Sequence, residues 1–195
     1  MKVLVACEYS GRVREAFRKL GHDAWSADFE PAEDHSPYHY QGDCFDLINN
    51  KRFDLMICHP PCTHLAVSGA AHFAAKRADG RQQAALDFVG RLLNAPIERI
   101  ALENPVSIIS SHFRKPDQII QPWMFGHMEQ KATCLWLKGL PHLVPTNDVK
   151  AQMMMLPKNQ RERLHYLPPS PTRWKERSRT YQGIADAFAN QWGGA

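Results

Sequence analysis

The sequence has no long apolar run. Nothing in it approaches the roughly 18 consecutive apolar residues that a membrane-crossing helix takes, and the opening MKVLVACEYSG has neither the hydrophobic length nor the cleavage pattern of a secretory leader. A cytoplasmic protein is the expectation. A disulfide framework is missing as well. The five cysteines, Cys7, Cys44, Cys58, Cys62 and Cys134, are odd in number and scattered over apolar segments of a 195-residue chain, so reduced thiols are expected. No metal centre is expected, because Cys58, His59, Cys62 and His64 lack a second CxxC or HxxxH half to complete the four ligands of structural zinc. A GxGxxG loop is also absent from the first strand-like run.

What is present fits one domain with a sizeable core: 44% of residues are hydrophobic and 23% charged. The net charge of +4 is unevenly placed. Residues 150–179 hold eight Lys or Arg against Glu162 and Glu176, a balance of +6 that leaves −2 for the rest. Such a segment is either a solvated face or a contact for a polyanion.

Strand-like and helix-like runs alternate. Residues 2–6 read as a strand, residues 12–20 as a helix closed by Gly21, and Asp23–Phe29 as a second strand. This opening is that of a mononucleotide-binding α/β fold. Ser10 can cap the helix, and Gly11 with the free N–H groups of the first turn offers a place for a carboxylate or phosphate. Asp28 reads either as a ribose-binding carboxylate or as a plain cap. Residues 31–42 show no period and read as a loop leading to Asp43. Residues 63–80, rich in small side chains, read as a mobile loop passing into a helix. Residues 81–93 place Ala84, Ala85, Phe88, Val89, Leu92 and Leu93 on one helical face. Further strands are expected at 97–102 and 132–137, a mixed segment at 116–130, an irregular basic insert at about 140–178, and a closing helix at 183–192. The three methionines 153–155 and Trp123, Trp136 and Phe188 read as core.

The chemistry concentrates in FDLMICHPPCTHLAVS, residues 53–68. Leu55–Cys58 reads as a short buried strand stopped by His59-Pro60-Pro61, since proline cannot donate to a ladder and biases its predecessor toward extended geometry. Cys62 then stands just past a strand end, where open α/β sheets gather reactive groups. It reads as a held nucleophile or as a buried structural thiol. The next strand ends in Glu103-Asn104-Pro105, and the crossover rule puts it beside the Cys62 strand, which offers a nucleophile and general acid pair.

Taken together, these residues resemble the DNA cytosine-5 methyltransferase family, and most of all its short stand-alone phage and prophage members. Pro61-Cys62 resembles the family's Pro-Cys motif, with Ser68 in the loop that follows, and Glu103-Asn104 its Glu-Asn motif. VLVACEYSGRVREAF resembles its first cofactor motif, Asp28-Phe29 its ribose-binding acid and adjacent aromatic, Asp43 its adenine-binding aspartate, and TYQGIADAFA its last motif. The resemblance implies a three-layer Rossmann-like methyltransferase fold over residues 1–195, with S-adenosylmethionine held by Cys7, Glu8, Ser10, Gly11, Asp28, Phe29, Asp43 and Pro60. It implies that Cys62 adds to carbon 6 of cytosine, that Glu103 protonates nitrogen 3, and that Asn104 holds the loop; the lowered thiol pKa such an addition needs is expected from the neighbouring His59 and His64 or from a helix N-terminus.

Three departures qualify the substrate. Glu8-Tyr9-Ser10 replaces a glycine-richer turn. Gln130-Lys131-Ala132-Thr133-Cys134 stands where the family's QxRxR motif has two arginines, leaving contacts with nucleic acid to Lys131, Arg173, Trp174, Lys175, Arg177 and Arg179. The insert is far shorter than a full target-recognition domain. The expected partner is therefore DNA, duplex or single-stranded, bound by a monomer or weak dimer. RNA or a free cytidine nucleotide as substrate, or a non-catalytic cofactor- or DNA-binding protein on the same scaffold, are the alternatives.

Overall fold

Alternation of apolar side chains along the strands builds the layers. The computed structural model describes residues 1–194. In chain order it runs β1 (Lys2–Ala6), α1 (Arg12–Lys19), β2 (Asp23–Asp28), β3 (His39–Gln41), α2 (Cys44–Asn50), β4 (Leu55–Cys58), α3 (Phe73–Ala78), α4 (Arg81–Leu93), β5 (Arg99–Pro105), α5 (Ile109–His112), β6 (Gln118–Ile120) and β7 (Thr133–Lys138). The short helices α6 (Lys150–Met154), α7 (Lys158–Arg161), α8 (Arg163–Tyr166) and α9 (Arg173–Ser178) follow, then α10 (Gln182–Trp192).

One seven-stranded sheet has the order β3-β2-β1-β4-β5-β7-β6. Pairings from β3 through β5 are parallel, and β7 runs antiparallel to both β5 and β6. Val3, Val5, Leu55, Ile57, Ala101, Leu135 and Leu137 pack on one face against Phe17 of α1 and Phe188 and Trp192 of α10. Leu4, Ala6, Met56, Cys58, Ile100, Leu102 and Trp136 pack on the other, against Phe45 of α2 and Leu86, Val89 and Leu92 of α4. The period of two in each strand thus supplies both sides of a three-layer, Rossmann-like α/β fold. The last helix earns its place through Phe188 and Trp192, which are stacked at 4.7 Å and buried over the sheet.

Several expectations are corrected. The loop at 31–42 contains β3, three residues long, whose Ser26↔His39 register is too brief to show a period. The segment 63–80 passes into a helix as expected, α3, but the part before it holds a turn and a 3-10 stretch at Val67–His72. Residues 116–130 include the edge strand β6. The strand carrying Glu103 continues to Pro105, because β7 pairs with it beyond the point where β4 ends. The insert is built of short helices, and of its three methionines only Met153 is buried, Met155 being 86% exposed. A five-residue helix has one inward face to offer.

Candidate active site

The chain steps outward from β1 to β3 and then returns to β4 on the other side of β1, so the strand order reverses between β1 and β4. At such a switch point the loops leaving the two strands diverge and open a crevice. Here those loops are Cys7–Gly11 and His59–Cys62.

Cys62 is exposed at the mouth of this crevice, on a loop tied down carbonyl by carbonyl. Asn104 Nδ2 donates to the Pro60 carbonyl at 2.8 Å, the nearly buried Lys76 donates to the Thr63 carbonyl at 2.6 Å, and Gln82 Nε2 donates to the His64 carbonyl at 3.1 Å. The Cys62 carbonyl itself accepts from the Leu65 and Ala66 amides. A loop held at Pro60, Thr63 and His64 by side chains from β5, α3 and α4, and at Cys62 by its own backbone, presents its thiol in one place. Lys76 and Gln82 were not foreseen in this role. Their α-helical spacing carries no sign of a contact to a loop 13 to 18 residues away.

Glu103 leaves β5 immediately beside this loop, since Cys58 of β4 is in register with Leu102. His59 Nδ1 lies 3.0 Å from Glu103 Oε2. Burial pushes the Glu103 carboxyl up, but the hydrogen bond from His59, with the positive charge of Lys131, brings it below the ordinary carboxylate range. The thiol of Cys62 goes the other way. Although Cys62 reaches solvent, the loops packed around it leave the thiol less hydrated than a free one and raise it, the Glu103 charge adds to the rise, and Lys131 and Arg177 oppose it. The expected activation of Cys62 by His59 and His64 is therefore not what the structure holds. His59 is turned to Glu103, His64 lines the neighbouring cleft, and the cations acting on the thiol are Lys131 and Arg177.

That cleft, of about 370 Å³, is lined by Cys7, Asp28, Phe29, Asp43, Cys44, Pro61, His64, Arg81, Ala84, Ala85 and Phe88 among others. Asp28 uses one oxygen on the Glu30 amide at 2.9 Å, and Asp43 uses one on the Phe45 amide at 3.0 Å as the cap of α2. Each has a second oxygen with no partner among the described residues. Burial raises the Asp28 carboxyl above its ordinary value. Phe29 stands 72% exposed on the rim, costly to leave in water and suited to a flat ligand. Two carboxylate oxygens, an exposed ring and an apolar wall suit a nucleoside-bearing group such as S-adenosylmethionine. The wall from α4 is a second surprise, because its apolar stripe is shared between core, at Leu86, Val89 and Leu92, and cleft, at Ala84, Ala85 and Phe88.

Four residues expected at the cofactor are not among those lining this cleft. Glu8 is buried and caps α1, its carboxylate accepting from the Val13 amide at 2.7 Å and the Arg14 amide at 3.2 Å. Ser10 bonds Glu8 instead of capping the helix. Gly11 is the residue before α1 with φ +71°, a left-handed geometry that suits glycine, and a Cβ there would meet the guanidinium of Arg14. Pro60 is buried under the loop, and its neighbour Pro61 reaches the cleft.

Much of the basic insert is turned inward. Lys175 pairs with Glu30, Arg179 with Glu33 and Glu176, and Arg163 with Glu129. The Tyr9 hydroxyl donates to the Lys175 carbonyl, and Trp174 packs against Tyr9 at 5.6 Å. Helix α9 therefore straps across the turn after β1. Arg173 donates to the His165 carbonyl. Lys131 reaches the Arg177 carbonyl at 3.0 Å, and these two residues border the Cys62 mouth. Ser68 is exposed in the 3-10 stretch beyond the loop.

No family model matches the sequence, and no curated protein matches it. Among solved structures, the chain aligns with a candidate DNA modification methyltransferase encoded within an E. coli prophage at a TM-score of 0.50 and 16% identity, over 81% of this chain and 56% of that one. At that identity the likeness is one of fold. This chain spans just over half the length of that protein.

Proposed function

We propose that the protein is an S-adenosylmethionine-dependent methyltransferase acting on carbon 5 of cytosine in DNA through a covalent adduct with Cys62. The observation that carries this reading is a held, exposed Cys62 on the loop leaving β4 with Glu103 of the adjacent β5 just past the point where β4 ends, beside a cleft suited to a nucleoside. The prophage protein of similar fold, described as a DNA modification methyltransferase, supports a nucleic-acid substrate.

Asp28, Asp43 and Phe29 would hold the cofactor. When bound, S-adenosylmethionine supplies an electrophilic methyl group. Cys62, once ionised, adds to carbon 6 of the ring and makes carbon 5 electron-rich, then departs when the carbon 5 proton is lost. Glu103 meets the nitrogen 3 edge. Because it is a carboxylate in the free protein, delivering a proton there requires it first to take one up, so proton uptake accompanies base binding. Asn104 keeps the Cys62 loop seated through Pro60. In duplex DNA the base must first leave the stack.

The inward pairing of the insert's cations favours a second reading, the same chemistry on single-stranded nucleic acid, RNA or a cytidine nucleotide, since fewer charges are available to neutralise a duplex backbone. One experiment separates these. The 5-fluorocytosine analogue, offered with cofactor in duplex DNA, single-stranded DNA, RNA and nucleotide form, is expected to trap the protein covalently in at least one form. Absence of any adduct, with the cofactor still bound, points to the non-catalytic alternative and sinks the proposal.

The cofactor assignment has its own check. Phe29→Ala is expected to weaken S-adenosylmethionine binding about 10-fold, the order of one lost stacking contact, with little change in thermal midpoint because the ring is so exposed. Equal affinity by calorimetry would remove Phe29 from the site.

A further inference from the structure

His59 lies at the centre of the crevice with no role assigned by the chemistry above. It precedes the double proline and is almost buried, its side chain 8% exposed. Its Nδ1 faces Glu103 Oε2 at 3.0 Å, and its Nε2 is buried with no partner among the described residues. A histidine retained only to fill space would have both nitrogens paired or one in water. This ring is instead fixed by a single hydrogen bond, made to the residue that would meet the base. An ionised Glu103 accepts only, so a hydrogen must sit on Nδ1, which rules out the tautomer carrying its hydrogen on Nε2 alone. The charged and titratable groups around the pair are Glu8 from the turn after β1, Lys131 ahead of β7, and Cys58 and Cys62 on either side of His59 in its own segment.

We propose that His59 is a positioning residue for Glu103: donating from Nδ1, it fixes Oε2 and leaves Oε1 as an acceptor that selects an amino-bearing pyrimidine edge over an oxo-bearing one. The inference rests on the reading of Glu103 as the group that meets the base. Its selectivity follows from hydrogen-bond polarity. A carboxylate oxygen accepts from the exocyclic amino group of cytosine, whereas it repels the carbonyl oxygen at the same position of uracil or thymine. No partner for Oε1 is present among the described residues, and Glu103 opens into a small hollow with Lys131, Thr133, Thr180 and Tyr181.

The first test uses the unmodified protein. Histidine ring nitrogen NMR on 15N-labelled material is expected to show His59 with its hydrogen on Nδ1. A hydrogen on Nε2 alone overturns the proposal, whatever reaction the protein performs. The second test compares His59→Phe, which keeps ring bulk and removes the donor, with His59→Gln, which keeps a donor. In His59→Phe the Glu103 carboxyl, followed by 13C NMR, is expected to titrate at higher pH than in the unmodified protein. Its kcat is expected to fall roughly 10- to 100-fold with KM little changed, and its preference for cytosine over uracil in matched oligonucleotides to shrink. His59→Gln restores most of each. An unchanged Glu103 titration in a folded His59→Phe protein overturns the proposal. Should His59→Phe fail to fold, Glu103→Gln is read instead, and a His59 ring that keeps the same nitrogen signals after that change counts against it. If the unmodified protein methylates no cytosine substrate, the function reading falls while the ring tautomer still judges His59.

Discussion

Replacing Cys62 with alanine is expected to abolish methyl transfer and covalent trapping by 5-fluorocytosine together, a loss of at least about 10³-fold, or roughly 4 kcal/mol of transition-state stabilisation. The fold should not notice. Cys62 is exposed, and the loop around it is held by Asn104, Lys76 and Gln82 through backbone carbonyls, none of which involves its side chain. Cofactor affinity and thermal midpoint are therefore expected to match the unmodified protein. A Cys62→Ala protein that transfers methyl groups at the ordinary rate would end the covalent mechanism. The thiol also predicts a pH dependence. Desolvation and the Glu103 charge hold it above its ordinary value, so alkylation of Cys62 by iodoacetamide in the free protein should rise with a midpoint above that of a simple thiol. Glu103→Gln removes one of the two causes and should move that midpoint down.

The largest stability effect is expected at Arg14. This residue, 0% exposed on α1, donates to Ser26 Oγ on β2 at 2.7 Å, to Glu15 at 3.0 Å, and to Asp34 beyond β2. It thereby joins the first helix to the strand and loop that carry Asp28 and Phe29. Arg14→Met keeps much of the volume and deletes every donor. Because Asp34 still reaches water, the cost falls short of a fully buried broken pair, and about 3 kcal/mol is expected. For a chain of this length that corresponds to a drop of about 6–12 °C in thermal midpoint, with cofactor affinity falling as well. A midpoint unchanged within a degree would show that the buried guanidinium contributes little beyond its bulk.

The parts of this architecture that a reader of the sequence can see are those encoded locally. Leu55–Cys58 ended by two prolines, and a strand ended by Glu103-Asn104, give their positions away through breakers and apolar runs. Their adjacency follows from a general crossover preference. The reversed direction of β7 has no such signal, because Thr133–Lys138 is apolar on both faces whichever way it runs. His59 and Glu103 are 44 residues apart, and nothing in either neighbourhood says that the histidine turns to the glutamate and away from the cysteine. The insert misleads in a similar way. Its charge is visible, but the acids that absorb Lys175 and Arg179 are Glu30 and Glu33, more than a hundred residues earlier. Within α4 the stripe from Ala84 to Leu92 is legible as apolar, and only the position of the cleft divides it into core and wall.

The carboxylate of Glu8 has a consequence for ligand choice. Helix N-termini at this point of α/β folds hold the phosphates of dinucleotides, because their amides and dipole attract negative charge. Here the amides of Val13 and Arg14 are taken by the protein's own side chain. A diphosphate would find those two amides already engaged. A ligand with no phosphate, and with a cation in its middle, meets no such objection. The first turn of α1 is thus closed from within the chain, and any ligand of the cleft is left to the groups that line it, Asp28, Phe29 and Asp43 among them.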